Sequence, residues 1–368
     1  MAGGRLPRRL VVAALAAVAL VACGAPRDGE SVVTAPDELG SVVSTPVELP
    51  SADVLAAGLS AFRSDVPVRV TTATGQTMRM PTLGVDTDVP VDLDTPTVIL
   101  DDDRSGRRHF VVDMSTVMGP LLAATGLESV AGPSAMEGWA LSDAIVLDTR
   151  GLPDTGTAQL GPLMDLVRPG LVSVDLSSAT DDQRAALVEA LVGTAIIDPV
   201  LLAQRLPAVI VSLERDPADP TVYRASTRYG DLLQALGTDS AALAKTSASG
   251  VAQTLGLDID TVAAFYGSYF DQLSVDVVVT IRNGVLTSLA YTTDMSTFFS
   301  ELLRSDIGAA LPGGVDPDTV ASAFDDVTWV LETVVTFEIV PSLVIEPPPG
   351  PYQDRTAAAQ AYADLLNS

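Results

Sequence analysis

The sequence predicts an α+β protein built on one large, curved antiparallel sheet, a half-barrel with helices packed on its concave face. Apolar and polar side chains alternate over several long segments, which is the period of a strand with one buried face. Helical periods enter at only a few places between these segments. The regular strand–helix alternation and continuous apolar strands of a parallel βαβ sheet are therefore missing.

The first element is a predicted export signal with a lipid-attachment site. Three arginines precede an apolar run that ends at Ala22, and Cys23, the only cysteine, follows directly. This order is typical of a secretory signal over residues 1–22, and the run is shorter than the roughly 20 apolar residues that span a bilayer. A cysteine after small residues resembles a bacterial lipobox, in which the thiol receives a diacylglycerol thioether with palmitate-type acyl chains. We therefore expect Cys23 to be lipidated.

Residues 23–50 predict a flexible, lipidated tether. Four prolines interrupt the segment, glutamates keep it solvated, and no apolar period persists. A flexible chain of this length has an end-to-end distance of roughly 30 Å. The tether would hold the folded part of the chain clear of the lipid headgroups.

The folded domain is predicted to cover residues 51–350, and its first half mixes helices with short strands. Ser51 is a suitable N-cap for a first helix. Further helix starts are predicted at Thr180 from capping-box spacing, and at Asp198 and Asp316, each followed by proline. Strand periods are found over Val66–Thr74, Thr97–Leu100, His109–Val112, Trp139–Leu147 and Leu171–Leu176.

The second half carries the clearest pattern, a predicted hairpin. The first strand alternates into Asn283-Gly284, a pair that favours the two positive φ angles of a tight hairpin turn. Val285–Thr292 returns from the turn, and residues 351–368 predict a helical C-terminal tail. The other predicted elements are a strand over Val222–Tyr229, an aromatic-rich helix over Thr261–Leu273, and strands over Val330–Val340 and Leu343–Ile345.

Acidic residues dominate the charge of the chain. It has 47 Asp and Glu against 21 Lys and Arg, a net charge of −26, and removal of the signal would take away three of the basic residues. This balance argues against nucleic acid as a partner and against electrostatic binding to anionic lipids through a polybasic patch. We expect a domain on the extracytoplasmic face of the cell membrane, held there by its N-terminal lipid anchor.

No pattern of residues predicts catalysis, a metal site or a cofactor. His109 is the only histidine, and no G-x-S-x-G elbow accompanies it, so we interpret it as an ordinary strand residue near a turn. The segment Asp101–Gly106 resembles the first half of a calcium loop, but Val112 stands where the bidentate carboxylate is needed. A polar hairpin tip is the preferred interpretation.

Three acidic pairs leave a hydrolase as an alternative. A glycosidase needs two carboxylates facing each other across a cleft, whereas acids this dense along a chain usually form a solvated face. The pairs are Asp86/Asp88, Asp92/Asp94 and Asp258/Asp260.

Apolar side chains of the hairpin and the aromatic helix are the candidate ligand-binding residues. They must pack either against a solid core or around an apolar cavity, and both need the same residue types. The candidates are Val275, Val277, Val279, Ile281, Phe265 and Tyr269.

The order of these elements resembles the actinobacterial LppX/LprG-type lipoproteins, which share a fold with the lipoprotein carrier LolA. The resemblance implies a half-barrel whose concave face, roofed by helices, holds the acyl chains of a glycolipid or another lipid, and it brings no catalytic residues. The segments that carry it are Cys23 with its tether, the helix at Asp53–Ser64, Val172–Leu176, Asp198–Leu202, Val222–Ser226, Val277–Leu286 and Phe337–Pro348.

We therefore expect a non-enzymatic lipoprotein of the cell envelope that binds a lipid or glycolipid in an apolar cavity. An interaction or scaffold lipoprotein with a solid core is the first alternative, and an envelope hydrolase that uses carboxylates is the second. The sequence leaves the identity of the ligand, the protein partners and the oligomeric state open.

Overall fold

The computed structural model describes residues 51–62, 65–81, 85–113, 135–151, 168–177, 199–210, 213–237, 257–309 and 316–366, together with five single positions between them. The predictions for residues 1–22, for Cys23, for the tether over 23–50 and for a helix over 181–193 lie outside the described residues.

In the described part of the chain, 13 strands form one curved, mostly antiparallel sheet that does not close into a barrel. The strand order is β13-β7-β6-β5-β4-β3-β1-β12-β11-β10-β9-β8, with β2 beside β3 on the same edge of β1. The prediction of an α+β fold on a large antiparallel sheet is confirmed. The strands are β1 Val68–Met80, β2 Val85–Val89, β3 Val98–Asp102, β4 Arg108–Asp113, β5 Ala135–Ala140, β6 Ala144–Asp148, β7 Leu171–Asp175, β8 Glu214–Arg215, β9 Val222–Arg228, β10 Ser274–Arg282, β11 Val285–Asp294, β12 Thr328–Ile339 and β13 Gln353–Asp354.

The helices are mostly short. None of those described is both long and apolar enough to cross a membrane. They are α1 Ser51–Leu59, α2 Pro199–Val209, α3 Tyr229–Ala235, α4 Ile259–Gln272, α5 Phe298–Arg304, α6 Asp306–Ala309, α7 Pro317–Ala321 and α8 Thr356–Leu366, with a 3₁₀ turn at Ser322–Phe324.

Strands β1 and β12 form the spine of the sheet. They pair antiparallel over twelve positions, from Val68 opposite Ile339 to Arg79 opposite Thr328. Because side chains alternate along a strand, the even-numbered residues of β1 and the odd-numbered residues of β12 share one face. We call this the core face, since Val70, Phe337 and their neighbours on it belong to the main hydrophobic core.

Helices cover the core face at both ends of the spine. Phe62, just after α1, packs on Phe337 with ring centroids 5.6 Å apart. At the other end Phe298 and Phe299 of α5 lie 5.9 and 5.5 Å from Trp329 of β12. Aromatic contacts therefore fix α1 and α5 on the same side of the sheet.

The opposite face, the outer face, carries a smaller apolar cluster. Trp139 and Val146 pack there against Ile345, which lies in the segment between β12 and β13. The predicted single strand over Trp139–Leu147 is wrong, because the chain turns between β5 and β6, where the amide of Leu141 donates to the carbonyl of Ala144 at 2.8 Å. The strand predicted over Leu343–Ile345 is also wrong: this segment joins no strand and packs by its side chains.

The C-terminal residues join the sheet. Gln353 and Asp354 pair in parallel with Val172 and Ser173 of β7, and α8 follows. Ala359 of α8 is fully buried in the main core. Part of the segment assigned to a tail from the sequence therefore packs on the edge of the sheet.

Candidate ligand-binding face

The alternating valines of β10 point to the core face. Val275, Val277 and Val279 are 0–1 % exposed and belong to the main core. The turn after β10 has φ of 52° at Asn283 and 75° at Gly284, the two positive angles that fix this hairpin and its register. The structure therefore brings three of the predicted ligand-binding residues together, under a cover of protein side chains.

Ile281 lies at the margin of this surface. The register of β10 against β11 shifts between Thr280 and Ile281, so Ile281 pairs with Leu286. Its side chain is half-buried beneath α1, where a Cβ added to Gly58 would lie 3.0 Å from Cδ1 of Ile281. Ile281 therefore lies against the first helix.

The two aromatic candidates pack on α5. Phe265, which is half-buried, stacks on Tyr269 with ring centroids 6.0 Å apart, and the two rings lie 5.8 and 5.1 Å from Phe298. The hydroxyl of Tyr269 lies 3.3 Å from Oγ1 of Thr297, the residue before α5. Burial, with a smaller effect of the carboxylate of Glu301, raises the pKa of Tyr269 to about 12, so this phenol is neutral at physiological pH.

The aromatic contacts continue from the helix to the sheet. Tyr266 of α4 lies 5.0 Å from Phe298, and Phe299 stacks on Trp329 at an interplanar angle of 15°. Helical spacing placed Tyr266 on an aromatic helix, but Phe298 and Trp329 are distant in sequence from that helix and from each other. Only the fold shows that these rings form one layer over the core face.

Five buried polar groups on or above the core face have no hydrogen-bond partner in the structure. All five residues are at most 3 % exposed, although a buried donor or acceptor is normally paired. We call this set the polar belt. It consists of the hydroxyls of Thr74, Thr293, Thr333 and Tyr266 and the indole N–H of Trp329.

His109 lies on the outer face, between two carboxylates. Its Nδ1 is 3.2 Å from Asp101 and its Nε2 is 2.9 Å from Glu137, while Arg69 donates to Asp101 at 2.7 Å. The ring also stacks on Trp139 at 5.2 Å. Burial lowers the pKa of His109, but the two carboxylates outweigh it and raise the pKa above its ordinary value. The group is an ion-pair network across neighbouring strands.

Four of the six acidic candidates take structural roles. Asp258 caps α4 by accepting from the amide of Thr261 at 2.9 Å, and Asp92 accepts from the amide of Asp94 at 2.9 Å. Asp86 faces Arg79 at 3.3 Å, and Asp88 accepts from Thr77 at 3.1 Å.

The calcium-like segment is the tip of the β3–β4 hairpin, as the turn interpretation predicts. Asp103 accepts there from the amide of Ser105 at 2.8 Å. Among the described residues no group of three or more His, Cys, Asp and Glu side chains could hold a metal ion.

No family model matches the chain, and no curated protein matches it at a significant level.

Proposed function

We propose that the chain is a lipoprotein of the cell envelope that binds the acyl chains of a lipid or glycolipid between the core face and its helices, with lipid on Cys23 as the anchor. In this proposal the core face is the concave face of the sheet. The supporting observation is a division of side chains: β10 contributes the small Val275, Val277 and Val279, and the helices contribute aromatic rings.

Acyl chains enter this space by displacing the aromatic layer. The valines are covered by protein side chains, and in this proposal α4 and α5 are the part of the cover that moves away from the sheet. Much of the cover is short, since α5 has seven residues, α6 four and α7 five. Opening exposes apolar surface to water, which costs about 25 cal/mol per Å². An acyl chain that takes the place of the rings buries this surface again.

A scaffold lipoprotein with a solid core is the second candidate. The nearly complete burial of Val275, Val277 and Val279 favours it, because a packed interior needs no ligand. A carboxylate hydrolase has less support, since Asp258 serves as a helix cap. We accordingly propose that the protein is not an enzyme.

The test is lipid uptake by a chain that carries Cys23→Ser and therefore lacks an attached lipid. We expect mass spectrometry of organic extracts to find lipid at about one molecule per chain. Val277→Thr places a hydroxyl on the core face and should lower uptake several-fold, because a buried hydroxyl without a partner is unfavourable.

Val278→Thr is the matched control, since Val278 is the next residue on β10 and points to the other face. Near-ultraviolet circular dichroism checks that both variants fold. Repeated isolation without lipid, and no uptake of added lipid, would support the scaffold.

A further inference from the structure

The polar belt is continuous across three neighbouring strands. Thr74 on β1 lies directly opposite Thr333 on β12. Leu331 of β12 faces Thr293 of β11, so Thr333 and Trp329, two residues to either side of Leu331, are the diagonal neighbours of Thr293. Direct partners in a sheet have Cβ atoms about 5 Å apart and diagonal ones about 7–8 Å. The three threonines and the indole therefore follow one another along the core face.

Tyr266, the fifth member of the belt, lies on the helical side, one ring away from Trp329. Its ring packs on Phe298, and Phe298 in turn packs on Trp329 at 5.9 Å. The belt thus has members on both walls of the space between sheet and helices.

An interior with several unpaired polar groups on one surface is unfavourable unless a partner satisfies them. Replacement of the threonines by valine would preserve the shape of the strands and remove the penalty. Their presence at connected positions of β1, β11 and β12 indicates a ligand with matching polar atoms.

The chemistry of the belt selects an uncharged group. Its hydroxyls donate and accept, and its indole N–H only donates, so it suits a carbonyl or a hydroxyl group. The belt itself contains no cationic side chain, and a buried anion without such a partner is strongly unfavourable. A fatty acid carboxylate or a phosphate is therefore a poor match.

We propose that the polar belt is a subsite for a neutral polar group, an ester, alcohol or amide, attached to the acyl chain that the core face takes up. This proposal rests on the proposed function, because the apolar part of the ligand lies beside the belt. It excludes a plain hydrocarbon as the preferred ligand and also excludes a free fatty acid.

The experiment uses Trp329 as the reporter. The chain contains two tryptophans, so the full chain with Cys23→Ser and Trp139→Phe emits from Trp329 alone. Three probes of equal chain length are titrated in a bile-salt detergent, which has no acyl chain: monodecanoylglycerol, decanoate and decane. We expect monodecanoylglycerol to bind at least ~5-fold more tightly than the others, the effect of about one hydrogen bond, and to shift the Trp329 emission to the red.

The matched substitutions are Thr333→Val, which removes one belt hydroxyl, and Thr336→Val, which removes a hydroxyl from the other face of β12. Thr333→Val should weaken the binding of monodecanoylglycerol about fivefold and leave the affinity for decane unchanged. It should also raise the unfolding temperature of the free protein. Thr336→Val should leave both affinities unchanged.

Equal affinity for monodecanoylglycerol and decane, or no effect of Thr333→Val, overturns the subsite and leaves acyl binding in place. Tighter binding of decanoate overturns the preference for a neutral group. Binding of none of the three probes overturns both the subsite and the proposed function.

Discussion

Nδ1 of His109 lies 3.2 Å from Oδ2 of Asp101, and this pair joins two neighbouring strands of the outer face. Arg69 donates to both oxygens of Asp101, at 2.7 and 3.1 Å, and Glu137 faces Nε2 of His109. Burial disfavours both charged groups, but the contacts outweigh it, so the pKa of His109 is raised and that of Asp101 is lowered. The imidazolium and the carboxylate therefore stabilise each other.

The first prediction concerns the pH dependence of stability. A raised pKa at His109 stabilises the fold fully below the unfolded value of about 6.5, and this contribution is lost as the pH rises through the folded value. The lowered pKa of Asp101 stabilises the fold above about 3.9, and that contribution is lost as the pH falls through the folded value. The network should contribute most between about pH 4 and pH 6.5.

Urea unfolding of the natural chain and of His109→Gln between pH 4 and pH 9 measures this dependence. We expect the difference in free energy of unfolding to be about 1 kcal/mol at pH 5 and to shrink toward pH 9. A difference that stays constant with pH would show that His109 acts only through its packing on Trp139.

The second prediction uses two glycines in opposite surroundings. A Cβ on Gly138 would lie 2.1 Å from Cζ of Phe110, a fully buried ring on the neighbouring strand. Gly138→Ala should therefore destabilise the protein by about 3 kcal/mol, because a packed ring must move. Gly267, within α4, has no atom within 4 Å of such a Cβ. Gly267→Ala should stabilise by about 0.5–1 kcal/mol.

Thermal and urea unfolding of both variants test this contrast. Phe110→Leu is the companion substitution for Gly138→Ala, since a smaller side chain makes room for the new methyl group. The double variant should be more stable than Gly138→Ala alone. Equal effects at Gly138 and Gly267 would contradict the prediction.

The third prediction concerns the segment that crosses the outer face. Ile345 is 3 % exposed against Trp139, whereas its neighbour Val344 is 75 % exposed. Ile345→Ala should lower the free energy of unfolding by about 2–3 kcal/mol and make the segment sensitive to a protease. Val344→Ala removes a similar aliphatic group and should change neither property measurably. Proteolysis at equal rates in the two variants would refute an anchoring role for Ile345.

Local signals in the sequence predicted most of the sheet. The hairpin of β10 and β11 was predicted because Asn-Gly fixes the turn within two residues. Strand β1 was predicted to end at Thr74, yet it continues to Met80. The prediction stopped early because Thr74 and Gln76 are polar residues at core-face positions, where the alternating pattern calls for apolar ones. The two-residue strand β13 depends entirely on its pairing with β7, which no local pattern reveals.

The candidate ligand-binding face was only partly predictable, because local patterns do not reveal which distant strands pair. Alternation correctly placed Val275, Val277 and Val279 on one side of β10. The polar belt depends on the pairing of β1 with β12, which are distant in sequence, so it could be seen only in the fold. The prediction of helices on the concave face and the lipidation of Cys23 both stay predictions.

The last prediction compares two tyrosines on one helix. Tyr269 has a hydrogen-bond partner in Thr297 at 3.3 Å, whereas the hydroxyl of Tyr266 is buried without one. Tyr269→Phe should therefore lower the free energy of unfolding by about 1 kcal/mol, and Tyr266→Phe should raise it by about 1 kcal/mol or leave it unchanged. Both substitutions remove one oxygen from α4, so helix propensity and ring packing are matched.

Because the Tyr269 bond joins α4 to the start of α5, Tyr269→Phe should also speed the exchange of bound lipid, measured by transfer of a fluorescent acyl probe to vesicles. Unchanged exchange in Tyr269→Phe would contradict a cover that opens between α4 and α5, because the bond that is lost joins these two helices.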